Sequence, residues 1–188
     1  MEYWRDELGF RLQHLTIPIP SRAILSSVAI ELKGMANSYL SDGDHFLSSS
    51  DAINALASWS YALGWLDAGD CLGLISAPVR DRCWIFSEIT PCIWEKDCLL
   101  EKTDRYHALL SSALKSVVPA PEPETLMYET ADRFILAANV SGHFGRYFLS
   151  IGRMQNALGA FSYGHAWLDA GVRTGLFRIF GKREIFTV

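Results

Sequence analysis

Residues 54–69, reading NALASWSYALGWLDAG, return 102 positions later as residues 156–171, NALGAFSYGHAWLDAG, with ten of the sixteen positions identical. No other feature constrains the fold as strongly. A repeat must bury the same face in each copy, so its period defines the architecture before any single helix is considered. The likeness extends outward. Phe46-Leu47-Ser48 aligns with Phe148-Leu149-Ser150, Gly73-Leu74 with Gly175-Leu176, and Pro18-Ile19-Pro20 with Pro119-Ala120-Pro121 after one insertion. The chain therefore reads as two units, residues 1–89 and 90–188.

Within each unit the pattern predicts three helices and a short extended tail. In the first unit they fall at about 2–14, 21–48 and 51–73, and in the second at about 92–116, 123–149 and 152–178. The proline pairs separate the first helix from the second, because proline lacks an N–H and disfavours helix at the residue before it. Pro123 suits the first turn of the fifth helix. Ser50-Asp51 and Ile151-Gly152 mark tight turns, and the Asp51 carboxylate can cap the third helix. The tails, rich in β-branched and aromatic residues, are expected to extend and to pair with each other. The expected fold is all-α: two tandem three-helix, spectrin-like bundles related by a pseudo-twofold.

The repeated helix is apolar nearly all round, so it must be buried on several sides. Ala55, Trp59, Ala62 and Leu66 share one sector, while Asn54, Ser58, Tyr61 and Trp65 form a separate stripe at helical spacing. Ala and Gly at 55, 57, 62 and 64 permit close approach of a neighbouring helix. The helix is thus expected to be the core of its unit and the seam between units. Tyr61 with Trp65, and Tyr163 with Trp167, are core aromatics or, alternatively, a wall on which a ligand stacks. Asp67 and Asp169 lie one turn from a helix C-terminus, where the macrodipole disfavours a carboxylate. Each needs a partner, an Arg or the backbone amides of the tail. Each serves either as a hydrogen-bond anchor or as a ligand-binding or catalytic carboxylate.

Composition enters mainly to exclude. The formal charge of −4 is too mild to imply a nucleic-acid or membrane partner for the whole chain. The halves differ, residues 1–89 carrying −5 and residues 90–188 carrying +1. Arg146, Arg153, Arg173, Arg178, Lys182 and Arg183 make the second half the place for an anion or RNA patch. Cys71, Cys83, Cys92 and Cys98 form no C-x-x-C pair, and free thiols in a reducing compartment are expected. Asp42, Asp44 and His45 are the densest polar group, and read as a solvated face rather than a metal site. No nucleotide-loop, zinc-protease or nucleophile-elbow motif is present. The expectations are no cofactor, no metal, no membrane span and a cytoplasmic location.

The run Tyr39-Leu40-Ser41-Asp42-Gly43-Asp44-His45-Phe46-Leu47, followed by Asn54-Ala55-Leu56-Ala57 and by Tyr61 with Gly64-Trp65-Leu66-Asp67-Ala68-Gly69, resembles the archaeal domain of unknown function 357. The tail Ile185-Phe186-Thr187-Val188 is similar to that family's ending. The resemblance implies a three-helix bundle per unit and brings no assigned activity, so it transfers no catalytic residue. It covers most of both units, but the first helices and residues 76–100 match poorly. A wider likeness to HEPN helical bundles, some of them ribonucleases, lacks the Arg–His spacing their chemistry requires.

The leading expectation is a non-enzymatic module, monomer or homodimer, that binds a protein or a small anionic ligand in the groove between its units. Its candidate binding residues are Asp67, Asp169, Tyr61, Tyr163, Trp65, Trp167 and Arg173. The alternatives are an RNA-binding protein using the basic second unit, and a nucleotide-processing enzyme using Asp67 or Asp169.

Overall fold

The computed structural model describes residues 2–80, 85, 87 and 96–187. The first unit is α1 (Glu2–Gln13), α2 (Ser26–Ser48) and α3 (Ala52–Cys71). The second is α4 (Lys96–Leu114), β1 (Val117–Pro119), α5 (Leu126–Ser150), α6 (Met154–Arg173) and β2 (Phe177–Ile179), closed by a short 3-10 turn at Arg183–Ile185. The fold is the all-α pair of three-helix units that the repeat requires. The boundary at 89/90, the start expected for the fourth helix, and Cys83 and Cys92 lie outside the described residues. Cys71 and Cys98 are not joined in a disulfide. Among the described residues, no helix is long and apolar enough to cross a membrane.

The helices end where backbone chemistry stops them. Asp51 caps α3, its carboxylate accepting from the Asn54 N–H at 3.0 Å. Ser50 (φ 65°) and Gly152 (φ 76°) turn the chain through the left-handed region ahead of α3 and α6. The fifth helix differs from expectation. Pro123 lies outside it, Glu124 takes a φ of 66°, and Thr125 caps α5 by accepting from Tyr128 N at 3.2 Å. α2 begins at Ser26 rather than 21, because Ala23 N bonds Pro20 O in a turn. α6 stops at Arg173, short of the expected 178. Gly175, at φ 77°, reverses the chain, and Leu176 N bonds back to Gly171 O.

The sequence suggests that the extended tails pair with each other; among the described residues they pair within their own units instead. Ser76 bridges Thr16, and β2 pairs antiparallel with β1. A tail emerges beside the linker that follows the first helix of its own unit, so that linker is the nearest strand edge. The Thr16–Ser76 bridge lies 102 residues before the Val118–Arg178 pair. This register carries the equivalence back into the poorly matched first helices, setting Trp4 against Tyr106 and Arg11 against Ala113.

α3 and α6 form the centre. α3 packs on α1, α2 and α6, and α6 packs on α3, α4 and α5. From Ala55 to Leu66 every residue of α3 is buried, including Trp59 and Trp65. Burial of each such side chain contributes roughly 1.5–3 kcal/mol. Close approach is needed in the same places twice. A Cβ on Gly43 would fall 2.3 Å from the Trp59 ring, and one on Gly145 would fall 2.2 Å from Phe161. The equivalent residues Gly64 and Ala166 meet each other across the seam, with only 2.6 Å between a Cβ built on Gly64 and that of Ala166. Contact between a residue and its own counterpart marks the pseudo-twofold.

Candidate functional site

The two repeated carboxylates are bonded to the opposite unit. The Tyr61 phenol donates to Asp169 Oδ2, and the Tyr163 phenol donates to Asp67 Oδ2 at 2.6 Å. Each Asp then takes a further partner, and the two choices differ. Asp67 Oδ1 accepts from Arg11 Nη2 at 2.6 Å, whereas Asp169 Oδ1 accepts from the Thr187 backbone N–H at 3.1 Å. One carboxylate has found an Arg and the other a tail amide. Arg11 is fully buried, and among the described residues its Nε and Nη1 have no hydrogen-bond partner.

The local electrostatics follow from burial. It pushes both phenols well above the ordinary tyrosine value, with Asp169 adding to the effect at Tyr61 and Asp67 at Tyr163. Burial also raises the Asp169 carboxyl, against the pull of His165 and its hydrogen bonds. His165 is driven down by burial, with Asp169 and the Ile185 carbonyl opposing. Its Nε2 lies 3.1 Å from Ile185 O and 3.5 Å from Asp169 Oδ2, both acceptors, so the proton of the neutral ring belongs on Nε2. The Phe186 ring stacks on the imidazole, fixing the tail against α6.

The stripe Asn54, Ser58, Tyr61 and Trp65 runs along one side of the seam. At its start Asn54 bonds Asp51 and accepts from Lys102 of α4. In the middle, Ser58 and Tyr61 line a cavity of about 160 Å³ with Tyr39, Tyr106, His165 and Thr187. At the far end Trp65 lines a larger, open cavity of about 590 Å³ with Glu31, Gly34, Met35, Arg173, Phe186 and Thr187. Thr187 borders both, so the tail is the partition between them.

The counterpart stripe on α6 has other partners among the described residues. Asn156 bonds the carbonyls of Ile85 and Ser87 at 2.9 and 3.1 Å. Trp4, fully buried, presses on Gly159, where a Cβ would fall 2.4 Å from its ring. Tyr163 is engaged by Asp67, and Trp167 meets Phe134 edge-on at 4.8 Å. The difference is a volume effect of the first helices. α1 supplies Trp4 and Arg11 where α4 supplies the smaller Tyr106 and Ala113.

Of the residues singled out by sequence, Tyr61 lines the smaller cavity and Trp65 and Arg173 the larger, while Asp169 is fully buried behind Tyr61; on the other side Trp167 is buried and Tyr163 and Asp67 are half-buried. Arg173 stands apart at the surface, where its Nε donates to Glu31 of α2 at 2.8 Å. Tyr39, Tyr106, His165 and Thr187 were missed, as was Arg11. A signal in the sequence marks one of them, since the repeats depart from each other there: His165 stands where the first copy has Leu63. The acidic group on α2 is not a metal cradle, because Arg5 grips Asp44 with two bonds of 2.9 and 2.8 Å. Among the described residues, no three His, Cys, Asp or Glu side chains gather as metal ligands.

Neither a curated protein nor a solved structure matches the chain. One family model does, twice, over residues 7–75 and 105–177, taking in the helix-rich body of each unit. With more than half of its length covered in two successive copies, the chain belongs to the family described as "Protein of unknown function (DUF357)".

Proposed function

We propose that the chain is a non-enzymatic binding module that holds a small, flat anionic ligand in the larger cavity between its units. The asymmetry of the two stripes carries this reading. Among the described residues, Trp4 packs on Gly159 and Arg11 bonds Asp67 on the α6 side of the seam, while on the α3 side two cavities open. The open cavity has an apolar floor of Trp65, Met35 and Phe186 and a charged rim of Arg173 and Glu31. Its volume of about 590 Å³ falls in the range of small-molecule sites. Arg173 uses Nε for Glu31, and among the described residues its two terminal nitrogens make no hydrogen bond, so they can meet an anion. Asp67 and Asp169 act in this reading as fasteners between units, with both oxygens of each already hydrogen-bonded.

Titration with 8-anilinonaphthalene-1-sulfonate, a flat apolar anion, tests it. Saturable one-to-one enhancement of its emission is expected. A Cβ on Gly34 would meet nothing within 4 Å, so Gly34→Leu fills the cavity without disturbing its neighbours. That variant should bind at least about tenfold more weakly while melting no lower than the parent. Non-saturable binding, or binding indifferent to Gly34→Leu, overturns the assignment.

A further inference from the structure

The smaller cavity differs in chemistry from the larger one. Five hydroxyls from four parts of the chain face it: Tyr39 of α2, Ser58 and Tyr61 of α3, Tyr106 of α4 and Thr187 of the tail. Tyr61 is bonded to Asp169 and Thr187, and the Tyr39 ring meets the Tyr61 ring edge-on at 4.5 Å. Of the others, Ser58 and Tyr106 make no hydrogen bond with any described residue.

No formal charge lines the cavity at neutral pH. Burial keeps Tyr39, Tyr61 and Tyr106 protonated and the His165 ring neutral. The charges that approach it are engaged elsewhere. Asp169 is held by Tyr61 and the Thr187 amide, and Lys102 lies over the Tyr106 ring while bonding Asn54.

This lining selects a class of ligand by elimination. An ion entering a half-buried space without a counter-charge loses hydration that nothing replaces. An apolar molecule would strand the Ser58 and Tyr106 hydroxyls. A hydroxyl group both donates and accepts, as do the groups that await it. The phenol faces and the aliphatic wall offer packing for the carbon skeleton between such groups. The volume of about 160 Å³ suits a single compact ring.

From this juxtaposition we infer that the cavity among Tyr39, Ser58, Tyr61, Tyr106 and Thr187 is a binding site for a neutral polyol, of the size of one sugar or cyclitol ring. It is separate from the larger cavity and does not depend on that one being occupied.

Saturation-transfer NMR on the full chain, with D-ribose, D-glucose and myo-inositol as probes, tests the site. Tetramethylammonium chloride and sodium acetate serve as charged controls. At least one polyol should bind saturably, and both ions should bind more weakly. Tyr106→Phe and Ser58→Ala each remove one waiting hydroxyl without touching the bonds of Tyr61 to Asp169 and Thr187. Each should weaken polyol binding about tenfold with no loss of melting temperature. Gly34→Leu separates this site from the other, since polyol binding survives it. Failure of all three polyols to bind overturns the inference. So does binding indifferent to both hydroxyl deletions, or an ion bound as tightly as the best polyol.

Discussion

The Tyr163 phenol of the second unit lies 2.6 Å from Asp67 of the first, and their counterparts Tyr61 and Asp169 make the same bond in the opposite sense. The exchange turns two identical sequence positions into a reciprocal clasp. A hydrogen bond to a charged group contributes roughly 1.5–3 kcal/mol. Tyr61→Phe and Tyr163→Phe should each destabilise the protein by about that amount, read as a lower urea midpoint at unchanged slope. A shift near zero for both would show that the clasp is incidental to stability.

The Arg11–Asp67 pair should be costlier to break than to replace. Arg11 is fully buried and the Asp67 side chain is 22% exposed, so Arg11→Ala leaves a carboxylate that water reaches only in part. A loss of about 3 kcal/mol is expected, at the low end for a broken buried pair. Arg11→Met with Asp67→Asn should recover part of it, because the isosteric pair carries no buried charge. Denaturant unfolding of the two variants checks the order.

Glycines in the same helix should respond in opposite directions. Gly43→Ala drives a methyl into the Trp59 ring and should destabilise by about 1–3 kcal/mol. Gly34→Ala meets open space and should stabilise α2 by about 0.5–1 kcal/mol. Equal shifts in the two melting temperatures would contradict the packing described at the α2–α3 contact.

The pH profile should fall on both sides. Tyr61 and Tyr163 are held above their ordinary value by burial and by the carboxylates they bond. Their contribution is therefore complete below about pH 10, the unfolded value, and is lost as pH rises through the folded one. On the acid side His165 is lowered, chiefly by burial. The unfolded chain takes up that proton first, so stability is complete above about pH 6.5 and declines as pH falls. His165→Leu, which installs the residue present at Leu63, should flatten the profile between about pH 5 and 7. An unchanged slope in that window would remove His165 as its cause. Asp169, raised by burial, works against this trend nearer its own ordinary range.

Much of the architecture was legible in the repeat. Identical spacing of Ala, Leu, Tyr, Trp and Asp in two helices allowed only a buried helix in each unit, and α3 and α6 are those helices. The need of Asp67 and Asp169 for partners was equally legible, since a carboxylate near a helix C-terminus is unfavourable when unpaired. The edge on which β2 pairs is not legible, because strand propensity says what will extend and not which edge lies within reach. The start of α5 is open in the same way: the fixed φ of Pro123 permits a helix start without requiring one, and Thr125 supplies the cap.

The sequence by itself determined that one three-helix solution is written twice, and which helix of each copy must be innermost. Periodicity is a local property, and the hydrophobic effect acts on it without knowing the partner. Only the tertiary structure decided that Tyr61 bonds Asp169 rather than Asp67, and that Asp67 takes Arg11 where Asp169 takes the tail amide. Those outcomes depend on which side chains converge from elements far apart in the chain. Trp4 and Arg11 occupy what Tyr106 and Ala113 leave vacant, and a volume shared among four helices has no signature in any one of them.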